Sequence, residues 1–247
     1  MLAYVLVGGA ALVAGAVNAI AGGGSLISFP ALVAAGLSPV VASVTNTVAM
    51  CPGYLGATLS QRADLAGQGG RAALVLPVGA LGGVAGALLL LRTGDAVFAA
   101  VVPWLILVAS LLLAVQPRLR AWLARRSAAP RTAALAVIPV GLAAVYGGYF
   151  GAGMGVMVLA ALAIVLDDSL TRLNALKQTV SLAVNVAAAI VFVCSGRVDW
   201  PLAAVMLACS LVGGWLGGLV AARIPPTVLR WVVVAVGTAV AGAYLLT

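Results

Sequence analysis

Charged residues are scarce in this sequence, and histidine is missing altogether. Only 7% of the 247 residues are Asp, Glu, Lys or Arg, whereas 64% are hydrophobic. A soluble domain carries about 25% charged residues, because it must cover a globule with polar surface. So few charges exclude a water-soluble fold, but they suit a chain whose backbone is satisfied as helices in lipid. The composition therefore predicts an all-α integral membrane protein.

The acidic residues are few, and each is expected in or near a loop. They are Asp64, Asp95, Asp167, Asp168 and Asp199. Without histidine or an intramembrane carboxylate, the chain cannot assemble a Ser-His pair or a metal-dependent hydrolase. We therefore expect no enzyme and no metal site. A dyad of Ser25 with Lys177, the only lysine, is the one enzymatic alternative that the residues leave open.

Cysteine is also rare, and the basic residues are mostly isolated. The three cysteines, Cys51, Cys194 and Cys209, all lie within apolar runs. Because their number is also odd, a full disulfide framework is not expected. The formal net charge is +8, yet only one basic cluster exists. It comprises Arg118, Arg120, Arg125, Arg126 and Arg131. Such a loop is typical of cytoplasmic retention of a membrane protein, so we expect no nucleic-acid partner.

What the sequence does contain is long apolar stretches, and a spanning helix needs roughly 20 such residues. Six stretches fit, at about 40–60, 72–91, 96–116, 172–195, 200–222 and 227–246. Two longer ones, 2–36 and 133–166, are interrupted by glycines and predict broken helices or hairpins. We expect eight long hydrophobic segments and up to ten helices. The first segment lacks a basic leader, so it is expected to stay in the protein.

The chain also repeats itself at an offset of 131 residues. The glycines at 22–24 correspond to residues 153–155, of which Gly153 and Gly155 are glycines, and the Gly82-xxx-Gly86 pattern corresponds to Gly213-xxx-Gly217. Small-xxx-small patterns let helices approach closely, so we interpret these two as packing seams. The pattern predicts a first transmembrane repeat at 1–116, a basic cytoplasmic linker at 117–132 and a second repeat at 133–247.

The orientation of the two repeats depends on the glycine-broken segments. If each broken segment crosses the membrane once, the repeats are parallel. If each is a hairpin that returns to its starting side, the repeats are inverted, and only Arg92 and Arg197 lie outside. Because positive residues concentrate in cytoplasmic loops, the charge pattern favours inverted repeats.

Glycine-tipped breaks at membrane depth are candidate binding sites for an anion. They expose backbone amides, and a helix N-terminus carries roughly half a positive charge. Inverted-repeat transporters place such broken helices around a midplane site. The candidate residues are Gly22, Gly23, Gly24, Ser25, Gly151, Gly153 and Gly155. The alternative is that these glycines only permit tight helix crossing.

Polar residues in the next helix of each half strengthen this hypothesis, because hydroxyls and amides can replace the lost hydration of an oxyanion. The candidates are Thr45, Asn46, Thr47, Lys177, Gln178, Thr179 and Ser181, with Asn174 and Asn185 nearby. Lys177 is interpreted as a fixed cation opposite an anionic substrate. The competing interpretation is a lysine that snorkels to the membrane interface.

The two glycine-rich segments resemble a known family. GGGSLISFPALVAAGLSPVVASVTNTVAMCPG is similar to the opening motif of the sulfite exporter TauE/SafE family of membrane permeases. GGYFGAGMGVMVLAAL, followed by LNALKQTVSLAVNVAAAIVF, is similar to that family's second copy. The resemblance covers essentially the whole chain and implies transport of sulfite, a sulfonate or a related oxyanion, with no cofactor. Lys177-Gln178 departs from the small or hydroxyl residues expected there, and such a departure is compatible with a substrate that differs within the family.

The sequence therefore predicts a permease that moves a small anion across a bacterial cytoplasmic membrane, with alternating access around a midplane site. Its expected partners are the anionic substrate and the lipid bilayer, and a homodimer is an open alternative. An anion channel and a non-transporting scaffold or accessory subunit are the competing functions. Neither the direction of transport nor the driving force follows from the residues.

Overall fold

The computed structural model describes residues 1–20, 23–125, 133–220 and 226–246. These residues form ten α-helices and two short 3₁₀ turns, with no strand among them, which confirms the all-α prediction. The helices are α1 (Leu2–Ile20), α2 (Ser25–Ala34), α3 (Pro39–Ser60), α4 (Gly69–Thr93), α5 (Asp95–Ala124), α6 (Val137–Tyr149), α7 (Met154–Val165), α8 (Leu170–Cys194), α9 (Trp200–Val220) and α10 (Pro226–Leu246).

Several of these helices have the length and composition of membrane spans. Within the described ranges, four qualify by both criteria, namely α4, α5, α8 and α9. The apolar helices of the two glycine-broken segments are shorter. A multi-pass membrane protein fits this architecture, and ten helices agree with the expected upper number. The count of eight long hydrophobic segments stays a prediction.

Both long apolar segments are broken where the glycine runs predicted it. The first break separates α1 from α2, and the second separates α6 from α7. Gly23, Gly151 and Gly153 have φ angles of 95°, 81° and 77°, a backbone region that residues other than glycine rarely adopt. We call residues 23–25 the first tip and residues 151–155 the second tip. Gly22 lies outside the described residues.

The helices recur in the register that the sequence repeat predicts. Helices α3, α4 and α5 begin at Pro39, Gly69 and Asp95, and α8, α9 and α10 each begin 131 residues later. Helix α5 continues to Ala124, through the first part of the expected linker, while residues 126–132 lie outside the described residues. The α-helices of the first half thus have counterparts in the second.

The two halves exchange packing partners. Helix α1 packs against α9, and its counterpart α6 packs against α4. A Cβ atom at Gly213 would strike the backbone of Leu12, and one at Gly86 would strike the backbone of Val145. These glycines therefore lie where two helices approach closely, as the small-xxx-small patterns predicted. The first helix of each half is therefore buried against a helix of the other half.

Counterpart helices α3 and α8 run in opposite directions. Asn174, near the start of α8, donates from Nδ2 to Oε1 of Gln61, just after the end of α3, over 2.7 Å. Further along α8, Asn185 lies within hydrogen-bonding reach of the Tyr54 hydroxyl of α3. Because residue numbers rise along α8 while they fall along α3, the pair is antiparallel.

Counterpart helices α5 and α10 are antiparallel as well. Arg230, in the second turn of α10, contacts Gln116 near the end of α5. Gly237, two turns further along α10, lies against Ser110, which is earlier in α5. The direction of one helix is therefore reversed relative to its counterpart in this pair too.

Candidate functional site

The two tips lie on one face of helix α5. Gly23 of the first tip is next to the side chain of Leu113, and Gly153 of the second tip is next to the backbone of Ala109. Residues four apart on a helix share a face, so the tips are within about one turn of each other along α5. The rings of Phe29 in α2 and Phe150 at the second break pack edge to face, 5.4 Å apart.

The first tip is anchored to α1 and α3. Asn18 of α1 accepts a hydrogen bond through Oδ1 from the Gly24 amide over 2.8 Å. Ser28 of α2 donates to Oδ1 of Asn46 in α3 over 2.6 Å. Gly24 lies so close to the carbonyl of Ala14 that a Cβ atom does not fit. The buried Nδ2 of Asn18 has no partner among the described residues, so this tip retains one amide donor.

The second tip is held by a tyrosine and lies along a buried lysine. The Tyr146 hydroxyl donates to the Ala152 carbonyl over 2.8 Å. Gly153 is the N-cap of α7 and has no side chain to cap it. Lys177 of α8 is only 5% exposed. Its Cδ, Cε and Nζ atoms lie 3.6 Å from where a Cβ of Gly155 would stand, so the side chain follows the first turn of α7.

This arrangement places two sources of positive potential together. The N-terminus of α7 and the Lys177 ammonium group occupy the same part of the bundle. Both groups direct positive potential to the same place, because a helix N-terminus carries roughly half a positive charge. The Gly155 amide has no acceptor within the described residues. The second tip is therefore suited to an anionic ligand.

Three of the predicted hydroxyl residues form hydrogen bonds with backbone groups. Thr45 Oγ1 accepts from the backbone amide of Asp199, just before α9, over 3.0 Å. Thr47 and Thr179 each donate to the carbonyl four residues earlier in their own helix. The structure therefore ties these side chains to neighbouring backbone rather than to the tips.

The remaining predicted residues are buried near the tips or on α8. Ser25 and Gln178 are both buried. Ser181 is fully buried one turn after Lys177 on the same face of α8, and its hydroxyl has no partner in the described part of the chain. Asn185 donates from Nδ2 to the Ser181 carbonyl over 2.9 Å. The groups brought to the tips are thus Gly23, Gly24, Ser25, Asn46, Gly151, Gly153, Gly155 and Lys177.

Sequence reasoning missed three residues that shape the tips. They are Asn18, Ser28 and Tyr146, whose hydrogen bonds hold the tips in place. A signal existed for Asn18, because it is a lone amide in an apolar run, four residues before a glycine run. Nothing in the sequence distinguishes Ser28 or Tyr146 from other small or aromatic residues of these helices.

A polar cluster joins the two halves away from the tips, and we call it the Asp168 cluster. Asp168, in the loop between α7 and α8, pairs with Arg71 of α4 and Arg172 of α8. Gln68 donates from Nε2 to the Arg172 carbonyl over 3.0 Å. Burial alone would raise the pKa of Asp168, but hydrogen bonds from Arg172, the Ser169 amide and Arg71 outweigh it and lower that pKa. The cluster connects the first half to the second.

Comparison with known proteins gives a consistent result. The family model described as "Sulfite exporter TauE/SafE" matches residues 7–244. The chain is 28% identical over 211 residues to the "Probable membrane transporter protein YfcA" of Escherichia coli (strain K12), covering 84% of this chain and 76% of that protein. It is 30% identical over 222 residues to a "Probable membrane transporter protein" of Haemophilus influenzae, covering 90% and 86%.

A third relative spans nearly the whole chain. The "Probable membrane transporter protein ORF9" of Sinorhizobium sp is 28% identical over 248 residues, which cover 98% of this chain and 91% of that protein. No solved structure matches the chain.

Proposed function

Because the chain belongs to the sulfite exporter TauE/SafE family of multi-pass membrane transporters, we propose that it carries a small oxyanion across a bacterial cytoplasmic membrane. The proposed substrate is sulfite, a sulfonate or a related sulfur-containing or organic oxyanion. The names of the relatives state membrane transport and no substrate, and the chemistry of the site favours an anion.

The observation that carries this proposal is Lys177 at the second tip. Its buried side chain lies along the first turn of α7, where the helix N-terminus adds positive potential. Charge-assisted hydrogen bonds to an oxyanion are about twice as strong as neutral ones. A helix N-terminus offers further amide donors to such a ligand. An oxyanion at this place would be stabilised by both groups, whereas a cation would be repelled by both.

The proposed mechanism is alternating access between two inverted repeats, 1–116 and 133–247. Two features support it: the antiparallel direction of the counterpart pairs, α3 with α8 and α5 with α10, and the exchanged packing of α1 and α6. In transporters of this design, one group of helices rocks against the other around a fixed site. An inside-negative potential favours anion export by about 2.3 kcal/mol per charge per 100 mV, so we propose export.

The test is flux into and out of proteoliposomes under an imposed membrane potential. Separate preparations contain sulfite, sulfoacetate, thiosulfate or sulfate, and Lys177→Ala is compared with wild type and with Lys177→Arg, which keeps the cation. We expect saturable flux of at least one anion. Lys177→Ala should lower it roughly 10- to 100-fold, the range expected for losing a hydrogen bond to a charged group.

Each other outcome has a definite meaning. Flux that rises linearly with concentration would indicate a channel. If correctly folded wild-type protein moves none of the four anions, the proposed function is wrong for these substrates. If Lys177→Ala transports as well as wild type, Lys177 has a structural role, and the anion binds elsewhere in the protein.

A further inference from the structure

Helix α10 carries a buried arginine that forms no ion pair with the described residues. Arg230 is 7% exposed and its neighbour Gln116 is 3% exposed. Arg230 Nε donates to Gln116 Oε1 over 3.4 Å, and this is the only hydrogen bond of Arg230 within the described residues. A guanidinium group has five N–H donors, so the two terminal nitrogens remain for another acceptor.

None of the five aspartates, all of which lie in the described part of the chain, pairs with Arg230. The five acidic residues lie in loops, in a 3₁₀ turn or at the first residue of a helix. The ion pairs of the described part of the chain both use Asp168, and neither includes Arg230. An ion that is buried without a partner of opposite charge destabilises the folded protein. An anion from outside the chain is therefore the natural partner of Arg230.

The position of Arg230 relates it to the tips. Ala109, Leu113 and Gln116 are spaced four and three residues apart on α5, so they share one face. Ala109 and Leu113 contact the second and first tips, and Gln116 contacts Arg230. Gln116, the contact of Arg230, thus lies roughly 5 Å along the helix axis, about one turn, beyond Leu113 toward the end of α5 that leads into the basic linker.

A second buried donor lies on the same contact between α5 and α10. Gly237 of α10 packs against Ser110, and a Cβ atom at Gly237 would strike the Ser110 hydroxyl. That hydroxyl is buried and has no partner among the described residues. Two polar groups with spare hydrogen-bonding capacity, Arg230 and Ser110, therefore lie at the contact between α5 and α10.

We propose that Arg230 is a second station for the transported oxyanion, on the linker side of the tips, and that Gln116 positions its guanidinium group. This inference rests on the proposed function and extends it to the route of the substrate. The planar guanidinium group can bind two oxygens of a sulfite, sulfonate or carboxylate group at once, which an ammonium group cannot do. A phosphate of a lipid headgroup has the same chemistry, and the experiment separates the two sources.

The first measurement is thermal unfolding of the whole purified protein in detergent, with and without sulfite or sulfoacetate as the probe. Variants are Arg230→Met, Arg230→Lys and the control Arg62→Met, which removes an exposed arginine. Without anion, Arg230→Met should unfold at the same or a higher temperature than wild type, because an unneutralised buried charge is gone. With anion, wild type and Arg62→Met should be stabilised, and Arg230→Met should be stabilised clearly less, because only the site at Lys177 remains.

The opposite pattern would overturn the inference. If Arg230→Met unfolds earlier without anion but gains the same stabilisation from anion, then Arg230 is a structural link between α5 and α10. A third arm adds phosphatidylglycerol in place of the probe anions. Stabilisation by this lipid alone, lost in Arg230→Met, would assign the site to a headgroup and overturn the transport station.

The second measurement is the flux assay. Arg230→Met should raise KM by about tenfold or more, the scale for losing a charge-assisted hydrogen bond, while the maximal rate changes much less. Arg230→Lys should lie between Met and wild type, and Arg62→Met should match wild type. Wild-type flux with unchanged KM in Arg230→Met would overturn this inference and leave the proposed function intact. Absence of flux in wild type would contradict the proposed function, whereas a reduced anion stabilisation in Arg230→Met would still support an anion site at Arg230.

Discussion

The Asp168 cluster and the two tips are both polar regions between the halves, but they leave different groups without partners. In the cluster, the Asp168 carboxylate is paired with two arginines, and the atom left over is an acceptor, Oε1 of Gln68. At the tips and beside them, the unpartnered groups are Nδ2 of Asn18 and the Ser181 hydroxyl, both able to donate. A set of spare donors suits an oxyanion, while a closed set of ion pairs holds the halves together.

The largest expected effect comes from the close packing of the first tip. In Gly24→Ala, the new Cβ would strike the Ala14 carbonyl, and we expect a loss of about 3 kcal/mol because backbone cannot yield easily. Thermal unfolding in detergent measures this. The control is Gly56→Ala, in the exposed part of α3 with nothing within 4 Å, which should gain about 0.5–1 kcal/mol. Equal stability of the two variants would show that the tip is not tightly packed.

A smaller effect is expected in the Asp168 cluster. Asp168→Asn removes the charge that pairs with Arg71 and Arg172, and should destabilise the protein by about 1–2 kcal/mol without changing the KM for the anion. Asp167→Asn, at the exposed neighbouring residue, is the matched control and should leave stability unchanged. If Asp168→Asn altered KM but not stability, the cluster would belong to the binding site instead.

The same cluster predicts a pH dependence. The pKa of Asp168 is lowered in the folded protein, so its stabilisation is fully present above the unfolded pKa of about 3.9. It is lost as the pH falls through the folded pKa. The difference in unfolding temperature between wild type and Asp168→Asn should therefore be constant from pH 7 to about 5 and shrink below about 4. A difference that closed near neutral pH would contradict the assignment.

The smallest effect should distinguish two buried serines. Ser210 donates to the Ala49 carbonyl over 2.9 Å, whereas Ser181 has no partner in the described structure. Ser210→Ala should cost about 1 kcal/mol, but Ser181→Ala should leave the empty protein as stable as wild type or slightly more stable. In anion titrations followed by thermal unfolding, only Ser181→Ala should weaken binding. Equal loss of stability in both variants would show that Ser181 has a structural role.

Much of the fold could be predicted because its signals are local. Glycine runs mark the breaks, since Gly23, Gly151 and Gly153 take backbone angles that other residues avoid. The length of each apolar stretch gave helix positions close to those of α3, α4, α5, α8, α9 and α10. The offset of 131 residues likewise needs only a comparison of the chain with itself.

The less predictable features depend on contacts between distant helices. In the sequence, Arg230 is a single arginine near the start of the apolar stretch 227–246, and only its packing against Gln116 of α5 shows that it is buried. Thr45 was expected at the site, but it binds the start of α9, 154 residues away. In uniformly apolar helices, periodicity does not indicate which face is buried, so these placements could not follow from the sequence.

The pairing of α1 with α9 also has a consequence for biosynthesis. Gly15 of α1 packs against the backbone of Ser210, which is 195 residues further along the chain. At a translation rate of about 5–20 residues per second, the partner of α1 is made roughly 10–40 s after α1 itself. During that interval the glycine-lined face of α1 must be covered by lipid or by an insertion factor. The first half therefore cannot complete its packing during synthesis until the second half has been made.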